Sequence, residues 1–184
     1  MGWSGRPGNS RVKFPQFSGP SGLVEVGLTL RIAVIADTHG RLPTFLMEGI
    51  VGADEIWHLG DVCEEETWQA VEQVGPPALV VRGNQDVNSV WPMSLDLERL
   101  GHRFHLCHIP PRSAPLGVKF LLHGHTHVPR DQEVEGVRFL NPGSAGLANK
   151  GAPRSFAWLE LRKGVEPVFR LVGGGGEGSA ISNL

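Results

Sequence analysis

Leu30–Ala36 reads LRIAVIA and runs straight into Asp37-Thr38-His39-Gly40. An apolar run of this length with one charge, cut off by polar residues and a glycine, is a buried strand that delivers a loop. The pattern then repeats. Glu55–Leu59 (EIWHL) ends in Gly60-Asp61, and Ala78–Val81 ends in Arg82-Gly83-Asn84. Between these runs, Pro43–Val51 reads as a short helix with proline in its first turn. Glu64–Val74 carries Trp68, Val71 and Val74 at helical spacing, behind three glutamates that complement a helix dipole. Strand, helix, strand, helix, strand predicts an α/β fold with parallel strands.

The second half has a different rhythm. Ser94–Leu100, Arg103–Cys107, Val118–Leu122, Gln132–Glu135, Val137–Leu140, Phe156–Leu161 and Val165–Leu171 all read as strands joined by short turns, with hairpin turns marked by Gly101-His102 and Gly136. There is no internal repeat and no second core. The economical architecture is one mixed α/β (α+β) domain, two packed sheets forming a β-sandwich flanked by helices. Its expected span is 30–172. Residues 1–29, rich in Gly, Pro and Ser, read as a flexible extension, and 173–184 (GGGGEGSAISNL) as a disordered tail.

The 184 residues suffice for one sizeable core. A net charge of −2 gives no basic footprint for a nucleic-acid scaffold. Cys63 and Cys107 do not form a disulfide framework and read as small hydrophobes. No apolar stretch approaches a membrane span and the start has no signal-peptide h-region, so the default location is the cytoplasm, with no membrane partner. A homo-oligomer is compatible with this composition.

The chemistry lies in where polar residues fall. Asp37, Asp61 and Asn84 each follow an apolar strand, and in open α/β sheets the carboxyl ends of strands form the site crevice. His39, His108, His125 and His127 gather at the same edge. Carboxylate, amide oxygen and imidazole suit a divalent transition metal such as Mn, Fe, Zn, Co or Ni. Seven donors are too many for one open site and suit two ions about 3.5–4 Å apart that clamp a phosphoryl group and lower the pKa of a bridging water. Such a pair needs an anionic bridge, for which Asp61 is central in sequence order. Gly60, Gly83 and Gly124 each precede a candidate donor, where close backbone approach favours glycine. Asn141-Pro142-Gly143-Ser144 is a turn whose Asn, Ser or N–H groups could orient a ligating histidine.

Asp37-x-His39, Gly60-Asp61, Gly83-Asn84, His108 and Gly124-His125-Thr126-His127, in this order, resemble the calcineurin-like metallophosphoesterase superfamily. Asp37-Thr38-His39-Gly40, Arg82-Gly83-Asn84-x-Asp86 and the Asn141–Ser144 turn are similar to its small bacterial and archaeal phosphodiesterase branch. The match spans about residues 31–145. The resemblance implies a sandwich of two mixed sheets flanked by helices, and two divalent ions with manganese foremost. It implies that Asp37, His39 and His127 hold the first metal, Asn84, His108 and His125 the second, and that Asp61 bridges. Asp61, Asn84 and His108 would be central to hydrolysis of a small phosphorylated substrate, most simply a phosphodiester.

Two departures stand out. Many members place a proton-donating histidine directly after the asparagine; here Gln85 stands there and has no proton to give, so the leaving oxygen departs unaided or is protonated from elsewhere. The family usually has a crossover helix before its Gly-His-x-His, whereas only Ile109–Gly117 (IPPRSAPLG) intervenes here. Either an extended loop spans the gap or the strand order changes locally, which leaves His105 as an alternative to His108.

Taken singly, most of these residues have ordinary readings. Asp37 could be an N-cap, Asp61 and Asn84 turn residues, His125 and His127 solvated, and His58 and His123 packing groups in strands. Arg82 could meet a phosphate or sit at a sheet edge. Trp57, Trp68, Trp91 and Trp158 read as core. Two other functions compete with the enzyme. One is a protein-interaction scaffold, because a retromer subunit resembles the same branch. The other is a single structural zinc, which the unpaired cysteines disfavour.

Overall fold

A computed structural model describes residues 28–174 apart from 88, 89 and 150. The expected extension, except Leu28 and Thr29, and the expected tail from Gly175 onward lie outside the described residues. The first half supplies β1 (Thr29–Ile35), α1 (Thr44–Gly49), β2 (Glu55–His58), α2 (Glu65–Glu72) and β3 (Ala78–Val80). The second supplies β4 (Ser94–Arg99), β5 (His102–Cys107), β6 (Phe120–His123), β7 (Arg130–Val134), β8 (Val137–Asn141), β9 (Ser155–Arg162) and β10 (Val165–Gly173).

The strands make two five-stranded sheets, ordered β10-β9-β1-β2-β3 and β4-β5-β6-β8-β7. β1, β2 and β3 are parallel, and β9 returns antiparallel against β1. In the other sheet β5, β6 and β8 are parallel, with antiparallel β4 and β7 at the edges. Both sheets are therefore mixed, as expected. Leu100 and Gly101, then Glu135 and Gly136, have positive φ at both centres of the β4–β5 and β7–β8 turns. That backbone twist matches a two-residue hairpin.

Alternation decides which residues meet. Ile32, Val34, Trp57, Leu59, Phe104, Leu106, Phe120, Leu122, Leu140 and Leu159 form the core between the sheets. Ala33, Ile35, Ile56, Phe156 and Trp158 face the other way and meet Leu46 and Ile50 of the α1 region and Trp68 and Val71 of α2. Trp57, Trp68 and Trp158 are buried, and Trp91 packs edge-on against Trp68. Both helices cover the first sheet. Among the described residues, the second sheet's outer face carries a small cluster, Cys107, Leu121 and Phe139 with Ala114 and Val137.

Ala114 belongs to the segment that replaces the expected crossover helix. β5 and β6 are nevertheless adjacent and parallel, with Phe104 opposite Phe120. The chain from His108 to Lys119 makes the crossover without a helix, so an extended loop spans it and the strand order is kept. Its three prolines favour an extended path over a helical one. Among the described residues, no helix is long and apolar enough to cross a membrane.

The inter-sheet core sets a testable energy scale. Trp57 is fully buried and meets Phe104 edge-on at 5.3 Å between centroids. Replacing it with Ala should lower unfolding stability by about 3–5 kcal/mol in denaturant titrations. Leu116→Ser, at a fully exposed position, should change it by less than about 0.5 kcal/mol. Equal effects at the two positions would contradict this packing.

Candidate metal centre

Parallel strands put their carboxyl ends on one edge, and the loops leaving that edge are laced together. The Asp37 N–H donates to Gly60 O at 3.0 Å, His39 N–H to Asp61 O at 3.0 Å, and Gly124 N–H to His108 O at 3.1 Å. Loops after β1, β2, β3, β5 and β6 thus deliver all seven sequence-predicted residues to one place.

Their side chains fall into two clusters. In the first, His127 Nε2 lies 3.4 Å from Asp37 Oδ1 and 3.2 Å from His39 Nε2. Donor atoms of Asp37, His39, Asp61 and His127 all lie within 4.8 Å of one another. In the second, Asn84 Oδ1 is 2.9 Å from His108 Nε2 and 2.9 Å from His125 Nδ1. Asp61 stands between them. Its Oδ2 is 3.8 Å from His39 Nε2 and 3.4 Å from His108 Nε2, while its Oδ1 accepts the Gln85 N–H at 2.8 Å. His108 therefore reaches the cluster. His105 does not, because its Nδ1 pairs with Asp96 Oδ1 on β4 at 2.9 Å. An open cleft lined by His39, Asp61, Cys63, Asn84, Gln85, His125 and His127 exposes both clusters to solvent.

The backbone here is held out of its ordinary range. Asp37, His39, Asp61, His125 and His127 all have φ between +46° and +67°. Asp and His tolerate the left-handed region better than most residues, yet each such position costs of order 1–3 kcal/mol and persists only where its surroundings fix it. Glycine stands where these loops pass closest to Asp61. A Cβ at Gly83 would fall on the backbone N and carboxylate of Asp61.

A supporting layer fixes this arrangement, and much of it carried no signal of its own in the sequence. Asp86, noted only as part of a motif, accepts N–H bonds from Asp61, Cys63 and Gly83. His58 Nδ1 accepts the Gly60 N–H at 3.2 Å, leaving its Nε2–H to meet Thr38 Oγ1 at 3.0 Å. His108 Nδ1 meets Leu59 O at 2.8 Å, which turns Nε2 toward Asp61 and Asn84. The Asn141–Ser144 turn braces the loops that carry Asp37 and His125 through their backbone and through Thr126. Asn141 Nδ2 donates to Gly124 O at 2.9 Å and Thr126 Oγ1 at 3.0 Å, on either side of His125. Ser144 Oγ donates to Asp37 O at 3.0 Å. Arg82 does not line the cleft, and its Nε is buried without a hydrogen bond.

The charges follow from this packing. Burial opposes ionisation of Asp61, but the hydrogen bond from His108, the Gln85 N–H and the charges of His108 and His39 outweigh it and hold the carboxyl below its usual range. Burial likewise opposes protonation of His108, but its bond to Asp61 and the charges of Asp37 and Asp61 raise its pKa. Burial and the surrounding carboxylates push the Cys63 thiol up to about 11.

These features agree with the comparisons. The model of the calcineurin-like phosphoesterase superfamily domain matches residues 30–164. The chain belongs to this superfamily. A probable metallophosphoesterase of Methanocaldococcus jannaschii is 30% identical over 136 residues, covering 65% of this chain and 70% of that protein. Two solved structures share the fold. One is Yfce, a phosphoesterase from E. coli (24% identity, TM-score 0.63, 71% of this chain and 88% of that one). The other is wild-type Vps29 of Entamoeba histolytica complexed with zinc (22%, TM-score 0.65, 78% and 99%). The superfamily assignment agrees with the reading of Asp37-x-His39 through Gly124-His125-x-His127 in register.

The buried imidazoles outside the two clusters give this calcineurin-like domain a pH signature. Burial lowers His58 from 6.5 to about 4, and does the same for His123. As pH falls through 6.5 the unfolded chain takes up these protons while the folded one waits until about 4. Their contribution is therefore complete above pH 6.5 and is lost between there and 4. Chelator-treated protein should lose about 2 kcal/mol per imidazole between pH 7 and 5 in guanidinium titrations. His58→Gln should remove one proton from the slope. Equal loss in wild type and His58→Gln over that range would refute the neutral assignment of His58.

Proposed function

We propose that this chain is a metal-dependent phosphodiesterase working with two divalent cations, manganese foremost. Asp37, His39 and His127 hold one cation, Asn84, His108 and His125 the other, and Asp61 both. The observation that carries the reading is Asp61 Oδ2, which faces an imidazole of each cluster at 3.8 and 3.4 Å while Oδ1 is committed to a backbone N–H. Carboxylate, imidazole and amide oxygen suit borderline divalent ions. Cys107 packs in the outer cluster of the second sheet while Cys63 lines the cleft, so the two thiols do not come together as the ligand pair a structural zinc would use.

Bound there, the cations supply Lewis-acid charge to the phosphoryl oxygens and lower the pKa of water. The chain's own groups do the rest. The Leu59 carbonyl keeps Nε2 of His108 turned inward, and Asp61 receives the imidazole edges of both clusters. Gln85 lines the cleft with an amide that holds no transferable proton, so substrates with good leaving groups should react best. The cleft lining contains no Lys or Arg among the described residues. That composition supports a singly charged diester over a doubly charged monoester. A small phosphorylated substrate, a cytoplasmic setting and one domain over 30–172 belong to the same proposal.

The test is hydrolysis of bis-p-nitrophenyl phosphate with added Mn²⁺. Activity should fall by at least about 100-fold in Asp61→Ala and on chelation. No hydrolysis above the Asp61→Ala control with Mn, Zn, Ni or Co rejects the enzyme. The likeness in fold to zinc-bound Vps29, with Ile109 and Leu116 exposed on the extended crossover, favours a scaffold as second reading. Undiminished partner binding by metal-free Asp61→Ala protein would support that instead.

A further inference from the structure

Asp86 is a carboxylate 4% exposed, among the described residues in no ion pair with Lys, Arg or His, lying outside both donor clusters. A buried charge is expensive unless its oxygens are satisfied. Among the described residues, those of Asp86 are satisfied by backbone alone. Oδ2 accepts the Asp61 N–H at 2.9 Å and the Gly83 N–H at 2.7 Å, and Oδ1 accepts the Cys63 N–H at 2.8 Å. Charge-assisted bonds of this kind are short and strong. They join the loop after β2, which carries Asp61, to the loop after β3, which carries Asn84.

We propose that Asp86 is a positioning residue that sets the separation of the two cation sites, and that its removal uncouples the second from the first. The proposal rests on the two-cation reading. Three of the first cluster's four donors, Asp37, His39 and His127, come from loops that Asp86 does not touch, and the fourth is Asp61, which both clusters share. The second depends on Asn84, directly after the anchored Gly83, and on Asp61, whose N–H Asp86 holds. Gln85, between them and Asp86, passes its own N–H to Asp61 Oδ1, so the bridging carboxylate and the Asn84 amide are positioned by one short segment.

The test is metal titration of full-length protein by calorimetry, with chelator competition, at a temperature where circular dichroism shows each variant folded. Wild type should take up two equivalents of Mn²⁺. Asp86→Ala should keep the first within about threefold and lose about 10–100-fold in affinity for the second, the usual effect of removing a group that orients a ligand. Asp86→Asn can still offer one oxygen to the Asp61 and Gly83 N–H groups and should fall between the two; it also serves if the alanine variant does not fold. A merely structural residue would lower the melting temperature and leave both affinities of the folded protein unchanged, which overturns the proposal while the phosphodiesterase reading stands. Equal weakening of both equivalents also overturns it. Wild-type protein that takes up no metal removes both.

Discussion

The site is organised by one buried carboxylate placed where two sets of donors meet. Asp61 follows β2, the strand next to β1 and β3, so it sits between the loop that carries Asp37 and His39 and the loop that carries Asn84. Its Oδ1 is taken by a backbone N–H, and Oδ2 is left for the imidazoles on both sides. Holding it there requires φ of +56° at Asp61, +91° at Gly60 and no side chain at Gly83. The sandwich makes these demands affordable. A packed core anchors strands whose free ends would otherwise relax, and strained backbone persists only where its surroundings over-determine it.

The second sheet completes the site by a route the first half of the chain does not suggest. His108 and the His125–His127 pair come from β5 and β6, which lie parallel and adjacent although the chain between them forms no helix. The proline-rich crossover does two jobs. It returns the chain to the start of β6, and its Ala114 covers part of the outer face of the sheet. The register that results fixes which histidine reaches inward. Within β5, His105 is drawn to Asp96 across the β4 ladder, whereas His108, just past the strand end, turns over Leu59 toward Asp61.

That contrast shows how far the sequence reaches. Periodicity and strand-ending glycines placed the ten strands and both helices within a few residues, and the order of the motif blocks predicted which seven side chains would converge. Both follow from local chemistry: apolar alternation selects a face, and a polar residue after a buried strand is delivered to the sheet edge. Local pattern does not separate His105 from His108, because the answer depends on which neighbour each ring meets across strands. Asp86 carries little signal for a related reason. Its partners include the backbone N–H groups of Asp61 and Cys63, on a loop distant in sequence. Backbone atoms are the same in every residue, so such contacts leave no compositional trace.

The balance of charge explains why this cleft suits cations better than an arginine clamp. Asp37, Asp61 and Asp86 are all buried, and no Lys or Arg lines the cleft among the described residues. Asp86 is neutralised by N–H dipoles, and Asp37 Oδ1 and Oδ2 receive the His125 N–H at 3.3 and 3.2 Å. Asp61 relies on Gln85 N–H and the neighbouring imidazoles, a pairing that holds its carboxyl low and raises His108 together.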